Sequence, residues 1–329
     1  MATYQGAEFL EAQLESLADQ TLLPDELVVV DDGSTDSTHE ILRSFSHRAP
    51  FPVRLVLRTD HLGTGPTFTE AMLATTADIL FICDQDDVWM PEKLAVVVER
   101  MTDRPDALMA FSDAVLIDAT DQRIGGSRWR VAGFGPRQQE RMRSDPLSVL
   151  LSRQVVSGCT AAIRRELLQC VVPLPSGVHS ALGDMMYDRW ISLVAGVVAP
   201  VLPIPERLVA YRIHAGQQVG IPALGLRRLA PQMALKAGQF LPGRSERIGR
   251  FDYHLAHMAE VTKRLEATDM DTGDSHLRLR LASQHLQARG ELTRSSRRRI
   301  APIARHYRDE DGYRRFALGL SSAVSDWTR

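Results

Sequence analysis

The chain has 329 residues and a formal net charge of -2, with 44% of its residues hydrophobic and 24% charged. These values are typical of one large globular domain, or one domain with an appended part, and they give no support to a nucleic-acid partner. No stretch reaches the roughly 18 to 20 apolar residues of a membrane span, and no signal peptide is visible. The three cysteines lack the spacing of a metal site, which fits a reducing compartment. We therefore expect a cytoplasmic protein, at most peripheral at the inner face of a membrane.

Short apolar runs alternate with helical patterns in the first part of the chain. Residues 1–6 resemble the end of a strand and the loop after it, with the strand itself largely missing. The runs 27–30, 53–57 and 79–83 are too short for helices, and we interpret them as buried parallel strands separated by helices. Strands alternating with helices place their carboxyl ends along one edge of a sheet. We expect that edge to bring together Thr3, Asp31, Asp32, the loop after Arg58, and residues 84–87.

The remaining elements are predicted in the same way. Further strands are expected at 107–111, 114–117, 158–163 and 208–212, and a helix over 185–195. The polar, Gly- and Arg-rich segment 123–145 is predicted to form a long loop over the site. From about residue 221 onward, long helical patterns rich in Arg, Leu, Ala and Gln predict a helical extension. This extension could be a dimerisation surface, and residues 314–327 could contact anionic lipid.

Three acidic residues follow the apolar run 79–83 almost at once. Asp84, Asp86 and Asp87 stand within four positions, and carboxylates crowded at a strand end need a compensating cation. One of them could instead cap the helix that begins near Pro91. Oxygen ligands of this kind suit Mg²⁺ or Mn²⁺, which usually complete their shell with substrate phosphates. The pattern therefore predicts a site for a divalent metal and a diphosphate.

Four segments together resemble family 2 glycosyltransferases of the GT-A fold, within a bacterial rhamnosyltransferase-like branch. They are residues 2–6 (ATYQG), 31–36 (DDGSTD), 84–94 (DQDDVWMPEKL) and 211–214 (YRIH). The resemblance implies an α/β fold with a Rossmann-like, mostly parallel central sheet over residues 1–220, followed by a helical extension over 221–329. It also implies inverting transfer of a sugar from a UDP- or dTDP-sugar to a hydroxyl of a surface glycan or lipid-linked acceptor, with a divalent metal.

The resemblance assigns a nucleotide pocket to the first two segments. Thr3 and Tyr4, with Asp31 and Asp32, match the family's nucleoside site, where a carboxylate accepts a hydrogen bond from the pyrimidine N3–H. The alternative for the two aspartates is a helix N-cap. Arg58 matches a segment that lines the base and phosphate, although an arginine at a strand end is equally often only solvated.

The resemblance assigns the diphosphate and metal to the other two segments. Asp84 is implied to face the ribose or metal, Asp86 to ligate the metal, and His214 to approach the same ion. Arg212, two residues before His214 on a predicted strand, points to the same side and suits a phosphate. A structural histidine is the alternative for His214.

An inverting transfer also needs a general base near the acceptor hydroxyl. Asp188, in the sequence YDRW, fits the family's base, although relatives commonly carry His where Tyr187 stands. Asp184 is a rival for this role, and an ion pair or helix cap is the alternative for Asp188. Two other functions stay open: a sugar nucleotidyltransferase, which should show a Gly-rich phosphate loop after the first strand, and a catalytically inactive binding module, favoured by the shortened first strand.

Overall fold

Eight strands form the framework of the protein. The computed structural model describes residues 1–174, 186–217, 244–268 and 274–294. The strands are β1 (Ala2–Thr3), β2 (Leu27–Asp31), β3 (Val53–Leu57), β4 (Ile79–Phe81), β5 (Val88–Trp89), β6 (Met109–Asp118), β7 (Ala161–Arg164) and β8 (Val201–Ile213).

Helices connect and cover these strands. They are α1 (Leu10–Ala18), α2 (Thr38–Arg48), α3 (Thr64–Ala74), α4 (Lys93–Thr102), α5 (Arg128–Ala132), α6 (Pro136–Ser144), α7 (Pro146–Ser152), α8 (Leu168–Val171), α9 (Tyr187–Val198), α10 (Arg244–Glu266) and α11 (Ser275–Arg294). Short 3₁₀ turns occupy Gly158–Thr160 and Arg165–Leu167.

The strands form two sheets. The first has the order β1-β2-β3 and is wholly parallel, whereas the second has the order β4-β7-β6-β8-β5 and is mixed, with β6 and β8 parallel and its other pairs antiparallel. The predicted α/β fold is confirmed, but the prediction of β4 as a parallel strand is wrong, because it pairs antiparallel with β7 in the second sheet. Every residue of β2 is buried because its apolar run LVVV is covered on both faces. The predicted short first strand is also found: Ala2 lies opposite Val30 and Thr3 opposite Asp31.

A glutamine side chain connects the loops that follow β1 and β4. The backbone N–H of Tyr4 donates to Gln85 Oε1 at 2.8 Å, and Gln85 Nε2 donates to the backbone oxygen of Tyr4 at 2.9 Å. This amide therefore pairs with the backbone as a neighbouring strand would. A Cβ atom at Gly6 would lie 2.3 Å from Gln85 Oε1, so only glycine fits beside the amide.

The prediction of a long loop over 123–145 is wrong. Two helices, α5 and α6, occupy most of it. Ser127 caps α5 by accepting the N–H of Arg130, and Gly133 ends it in the left-handed region. Trp129 and Phe134 pack edge to face, with ring centroids 4.8 Å apart, in the main core. The few aromatic residues of this polar segment provide enough apolar surface to anchor it.

The helical extension packs on the body of the protein through its described part. Met258 and Val261 of α10 and Leu279 and Leu286 of α11 belong to the same buried cluster as Trp190 of α9. The predicted boundary near residue 220, and the segment 314–327 predicted to contact lipid, lie outside the described residues. None of the described helices has both the length and the apolar character required to cross a membrane.

Candidate active site

A cavity of about 810 Å³ opens beside the ends of β1, β2 and β4. Its volume falls in the range of small-molecule sites in proteins. Its wall includes predicted site residues from distant parts of the chain, namely Thr3, Tyr4, Asp32, Asp84, Asp86, Asp188 and His214. The predicted convergence of the strand ends is therefore observed. Asp31, Arg58 and Arg212 were predicted beside them, but the structure places these three outside the cavity wall.

Asp31 lies behind the wall and organises the turn after β2. Its carboxylate accepts hydrogen bonds from Thr3 Oγ1 at 2.7 Å and from the N–H and hydroxyl of Ser34 at 2.8 and 2.7 Å, and it contacts His39 Nε2 at 2.6 Å. Burial alone would raise the pKa of Asp31, but the hydrogen bonds lower it below the usual value. These contacts occupy both oxygens, so Asp31 supports the loop that carries Asp32.

Asp32 gathers the loop after β3 against the cavity. It accepts the backbone N–H groups of Leu62 and Gly63 at 2.9 and 2.7 Å and pairs with Arg58 Nη1 at 3.1 Å. Arg58 also pairs with Glu70 of α3. The guanidinium of Arg58 is thus committed to two carboxylates, and it orients Asp32 from behind the wall.

Two aromatic rings face the cavity beside Asp32. Tyr4 and His61 stack with their centroids 4.0 Å apart and an interplanar angle of 29°. Tyr4 is 41% exposed, so part of its ring is open to a ligand. Flat, exposed aromatic surface next to a buried carboxylate is suited to a heterocyclic base.

The three acids that follow β4 have different surroundings. Burial, followed by the charge of Asp86, raises the pKa of Asp84 to about 7, although Tyr187 donates a hydrogen bond to it at 2.6 Å. Asp87 is fully buried, accepts the backbone N–H of Arg212 at 2.9 Å, and has its pKa raised well above the usual value by burial. Asp86 is more exposed and contacts His214 Nε2 at 2.9 Å. A cation would relieve the repulsion among them.

Two overlapping sets of side chains could hold that cation. Ligand atoms of Asp84, Asp87 and Cys159 lie within 4.8 Å of one another. This set is the poorer one for Mg²⁺ or Mn²⁺, because these ions prefer oxygen ligands and the sulfur of Cys159 is a soft ligand. The predicted set of Asp84, Asp86 and His214 faces the cavity and supplies two carboxylates and an imidazole. By the chemistry of their donor atoms these residues fit a divalent metal. The ligand atoms of Asp84, Asp86 and His214 do not all lie within 4.8 Å of one another, so a metal held by this set stays a prediction.

Arg212 stabilises this acidic loop instead of lining the cavity. Its side chain is 1% exposed, and its Nε donates to the backbone oxygen of Asp86 at 2.8 Å. It also pairs with Asp121 at 2.7 Å and lies over the ring of Phe9. Arg212 was predicted to contact a phosphate. In the structure it instead holds the backbone of Asp86 in position.

Asp188 lines the same cavity, in the first turn of α9, and its charge acts on Asp84. Burial raises its pKa, an effect opposed by the backbone N–H of Arg189 and by the charge of Arg128. A carboxylate with a raised pKa at a cavity wall is suited to accepting a proton. Asp184, the rival for that role, lies outside the described residues.

Tyr187 connects Asp188 to the acidic loop. Its ring packs on Phe68 with centroids 4.1 Å apart, and burial raises its pKa well above the usual value, so the hydroxyl keeps its proton and donates to Asp84. A Cβ atom at Gly158 would lie 1.8 Å from this hydroxyl, so a glycine is needed there.

Sequence reasoning missed three contributors to the site. Gln85 stands between the predicted acids, yet its pairing with Tyr4 spans 81 positions. The sequence marks Tyr187 only as a departure from the family's pattern, and Arg128 falls in the segment predicted as a loop. The juxtaposition of Asp84 with Tyr187 spans 103 positions, and no local pattern signals it.

The fold and the acidic cavity define a glycosyltransferase of the GT-A type. Residues 1–172 match the Glycosyl transferase family 2, and the chain belongs to that family. It is 27% identical over 214 residues to an uncharacterized glycosyltransferase of Nostoc sp., covering 65% of this chain and 63% of the relative. It is also 28% identical over 103 residues to the dTDP-rhamnosyl transferase RfbG of Shigella flexneri, covering 30% and 36% of the two chains. The chain spans less than two thirds of these relatives.

Solved structures share the fold. The S. aureus TarS fragment 1–349 in complex with UDP-GlcNAc superposes with a TM-score of 0.54 at 16% identity, covering 95% of this chain and 88% of the other. The mannosyltransferase PcManGT of Pyrobaculum calidifontis, in complex with GDP-Man and Mn²⁺, superposes with a TM-score of 0.52 at 19% identity, covering 99% and 76%. At these identities the similarity establishes the architecture alone.

Proposed function

We propose that the protein is a metal-dependent inverting glycosyltransferase, which moves a sugar from a UDP- or dTDP-sugar to a hydroxyl of a surface glycan or a lipid-linked glycan. The observation that carries the proposal is the arrangement of the cavity. The metal-compatible group of Asp84, Asp86 and His214 and the carboxylate of Asp188 line one enclosed space. An inverting displacement needs these two functions, one toward the leaving group and one toward the acceptor.

The nucleoside end of the donor belongs beside Asp32. The stacked rings of Tyr4 and His61 present a face for the base, and Thr3 lies at the same end of the cavity. Asp31 positions Thr3 through a hydrogen bond, and Arg58 positions Asp32 through an ion pair, both from outside the cavity wall. The names of two relatives agree with pyrimidine donors, since one is a dTDP-rhamnosyl transferase and the TarS fragment was solved with UDP-GlcNAc.

The diphosphate belongs beside the acidic loop. Asp86, with Asp84 and His214, would hold Mg²⁺ or Mn²⁺, and a bound metal would neutralise charge developing on the departing diphosphate. Arg212 keeps the backbone of Asp86 in place, and Tyr187 fixes one oxygen of Asp84. The protein's own contribution at this end is a preformed set of ligands.

Asp188 takes the proton of the acceptor hydroxyl as that oxygen bonds to the anomeric carbon. The bond from that carbon to the diphosphate oxygen breaks in the same displacement, so no covalent bond to the enzyme forms. The raised pKa of Asp188 makes it a better base than a solvated aspartate.

The cysteines bear on where the reaction takes place. Three buried cysteines that form no disulfide support a cytoplasmic location, at the inner face of the membrane if the acceptor is lipid-linked. The helical extension is a candidate dimerisation surface. A sugar nucleotidyltransferase gains no support from the family match, and an inactive module would have no use for the intact set of carboxylates around the cavity.

Product stereochemistry tests the proposed displacement. We expect Mn²⁺-dependent release of nucleoside diphosphate from a UDP- or dTDP-sugar with an α-linked donor, and a β-linked product when the transferred sugar is followed by NMR. Apo enzyme and enzyme with EDTA serve as controls. An α-linked product would contradict the in-line displacement and the assignment of Asp188 as its base.

A further inference from the structure

Arg128 is a buried cation at the acceptor side of the cavity. It is 6% exposed, begins α5 and lines the cavity. Its Nε donates to Ser157 Oγ at 2.9 Å and its Nη2 to the backbone oxygen of Gln154 at 3.2 Å. Gln154 and Ser157 line the cavity as well. These two contacts fix the plane of the guanidinium.

The guanidinium of Arg128 has N–H donors that make no hydrogen bond within the described part of the chain. Arginine carries five N–H groups, and the two contacts of Arg128 use only part of them. Among the residues that the structure describes, Nη1 has no hydrogen-bond partner and no carboxylate pairs with Arg128. Burying an arginine that has no carboxylate in direct contact costs free energy. An anionic group supplied from the cavity would therefore stabilise Arg128.

Arg128 is a cation in a wall that otherwise carries negative charge. Within the described part of the chain it is the single arginine or lysine of the cavity wall, whose other permanent charges are carboxylates. Its charge acts on Asp188, the proposed base. Its hydrogen bonds hold it to the chain just before Gly158, and it makes no hydrogen bond or ion pair with Asp86 or His214.

We propose that Arg128, fixed by Ser157 and Gln154, binds an oxyanion of the acceptor, so that the natural acceptor carries a phosphate or carboxylate near the hydroxyl that is glycosylated. This inference rests on the proposed function, because it takes Asp188 to mark the acceptor side. The planar fork of a guanidinium suits both groups through paired N–H···O contacts. A neutral acceptor would leave the buried fork without its partner.

Ligand-observed saturation-transfer NMR tests the inference with simple probes. Glycerol 3-phosphate is compared with glycerol, and glucuronate with glucose, both without nucleotide and with UDP and Mg²⁺ saturating the donor site. We expect at least one anionic probe to bind about tenfold or more tightly than its neutral counterpart. The stronger of the two anionic probes identifies the acceptor group as phosphate or carboxylate.

Three variants decide whether Arg128 is responsible. Arg128→Gln should weaken the anionic probe about tenfold or more, Arg128→Lys should weaken it less, and Arg130→Gln, an exposed position of the same helix, should leave it unchanged. Equal binding of charged and neutral probes by the wild type, or an unaffected Arg128→Gln, would overturn the inference. If Arg128→Gln misfolds by its melting curve, Arg128→Lys decides alone, and full retention of probe affinity there overturns it.

The UDP titration separates this inference from the proposed function. We expect Arg128→Gln to keep the wild-type affinity for UDP, and a loss of that affinity would assign Arg128 to the donor diphosphate and overturn the inference. Absence of binding of both UDP and dTDP in the wild type would count against the proposed function. The nucleotide-free probe titrations still test the anion site in that event.

Discussion

Replacing Asp188 with asparagine is expected to lower the rate of sugar transfer by about 10² to 10⁴. Asparagine has nearly the same shape but cannot accept the proton of the acceptor hydroxyl. Asp188 lines the cavity at the start of α9 and is not among the residues proposed to hold the metal or the nucleotide base. The affinity for nucleoside diphosphate should therefore stay at its wild-type value while turnover falls.

The pH dependence of the wild type provides a second signature. The raised pKa of Asp188 means that the folded protein holds this proton to a higher pH than an ordinary aspartate does. Since the base works only when deprotonated, the transfer rate should fall as the pH decreases through that raised pKa. Asp188→Asn should lack this acid limb, whereas Asp106→Asn, an exposed position paired with Arg104, should keep both the limb and the rate.

Asp184 is the alternative candidate for the base, and its variant shows what result would contradict the assignment of Asp188. Asp184→Asn should retain most activity if Asp188 is the base. If Asp184→Asn loses turnover and the acid limb while Asp188→Asn keeps both, the role belongs to Asp184. Donor binding measured on each variant distinguishes a lost base from a collapsed site.

Substituting alanine for Gly158 is expected to destabilise the protein by about 1–3 kcal/mol. The new Cβ would meet three atoms of Tyr187, with Oη at 1.8 Å, Cζ at 2.5 Å and Cε2 at 2.6 Å. The tyrosine ring has no room to yield, because it packs on Phe68 and its hydroxyl is bonded to Asp84. Displacing it removes the hydrogen bond of Asp84, so metal-dependent nucleotide binding should weaken as well.

Thermal denaturation with a matched glycine control checks this expectation. Gly135→Ala, at the extended position before α6, places its Cβ 3.6 Å from Gln138 Oε1, an ordinary contact, so its melting temperature should decrease much less than that of Gly158→Ala. In a Tyr187→Ala background, adding Gly158→Ala should cause little further loss. A Gly158→Ala protein with wild-type melting temperature and nucleotide affinity would show that the contact with Tyr187 is unimportant.

The sequence was sufficient where local patterns decide the structure. The apolar run before Asp84 and the two carboxylates that end β2 predict strands and the cavity edge at which they end, because burial follows from the chain itself. The direction of β4, which is antiparallel to β7, does not follow from its apolar run. The metal set at this edge stays a prediction. The prediction of a loop over 123–145 is wrong because it rests on the charged and Gly-rich composition of the segment. Trp129 and Phe134 anchor the segment in the core despite that composition.

The sequence was insufficient where a role depends on a distant partner. Arg212 and Arg58 have the chemistry of phosphate ligands, yet Arg212 is committed to backbone oxygens and Asp121, and Arg58 to carboxylates. Asp31 is occupied by Thr3, Ser34 and His39. A guanidinium or carboxylate can either contact a ligand or hold the residue that does, and only the three-dimensional arrangement distinguishes the two.

Calorimetric titration of UDP and dTDP, with and without Mn²⁺, into the wild type and Asp86→Ala tests the metal–nucleotide site most directly. We expect Mn²⁺-dependent binding of at least one nucleotide by the wild type, loss of the metal-dependent part in Asp86→Ala, and wild-type behaviour in the exposed control Asp106→Ala. The better-bound nucleotide would identify the base of the donor. Equal binding by wild type and Asp86→Ala, or no binding of either nucleotide under any condition, would contradict the proposed site.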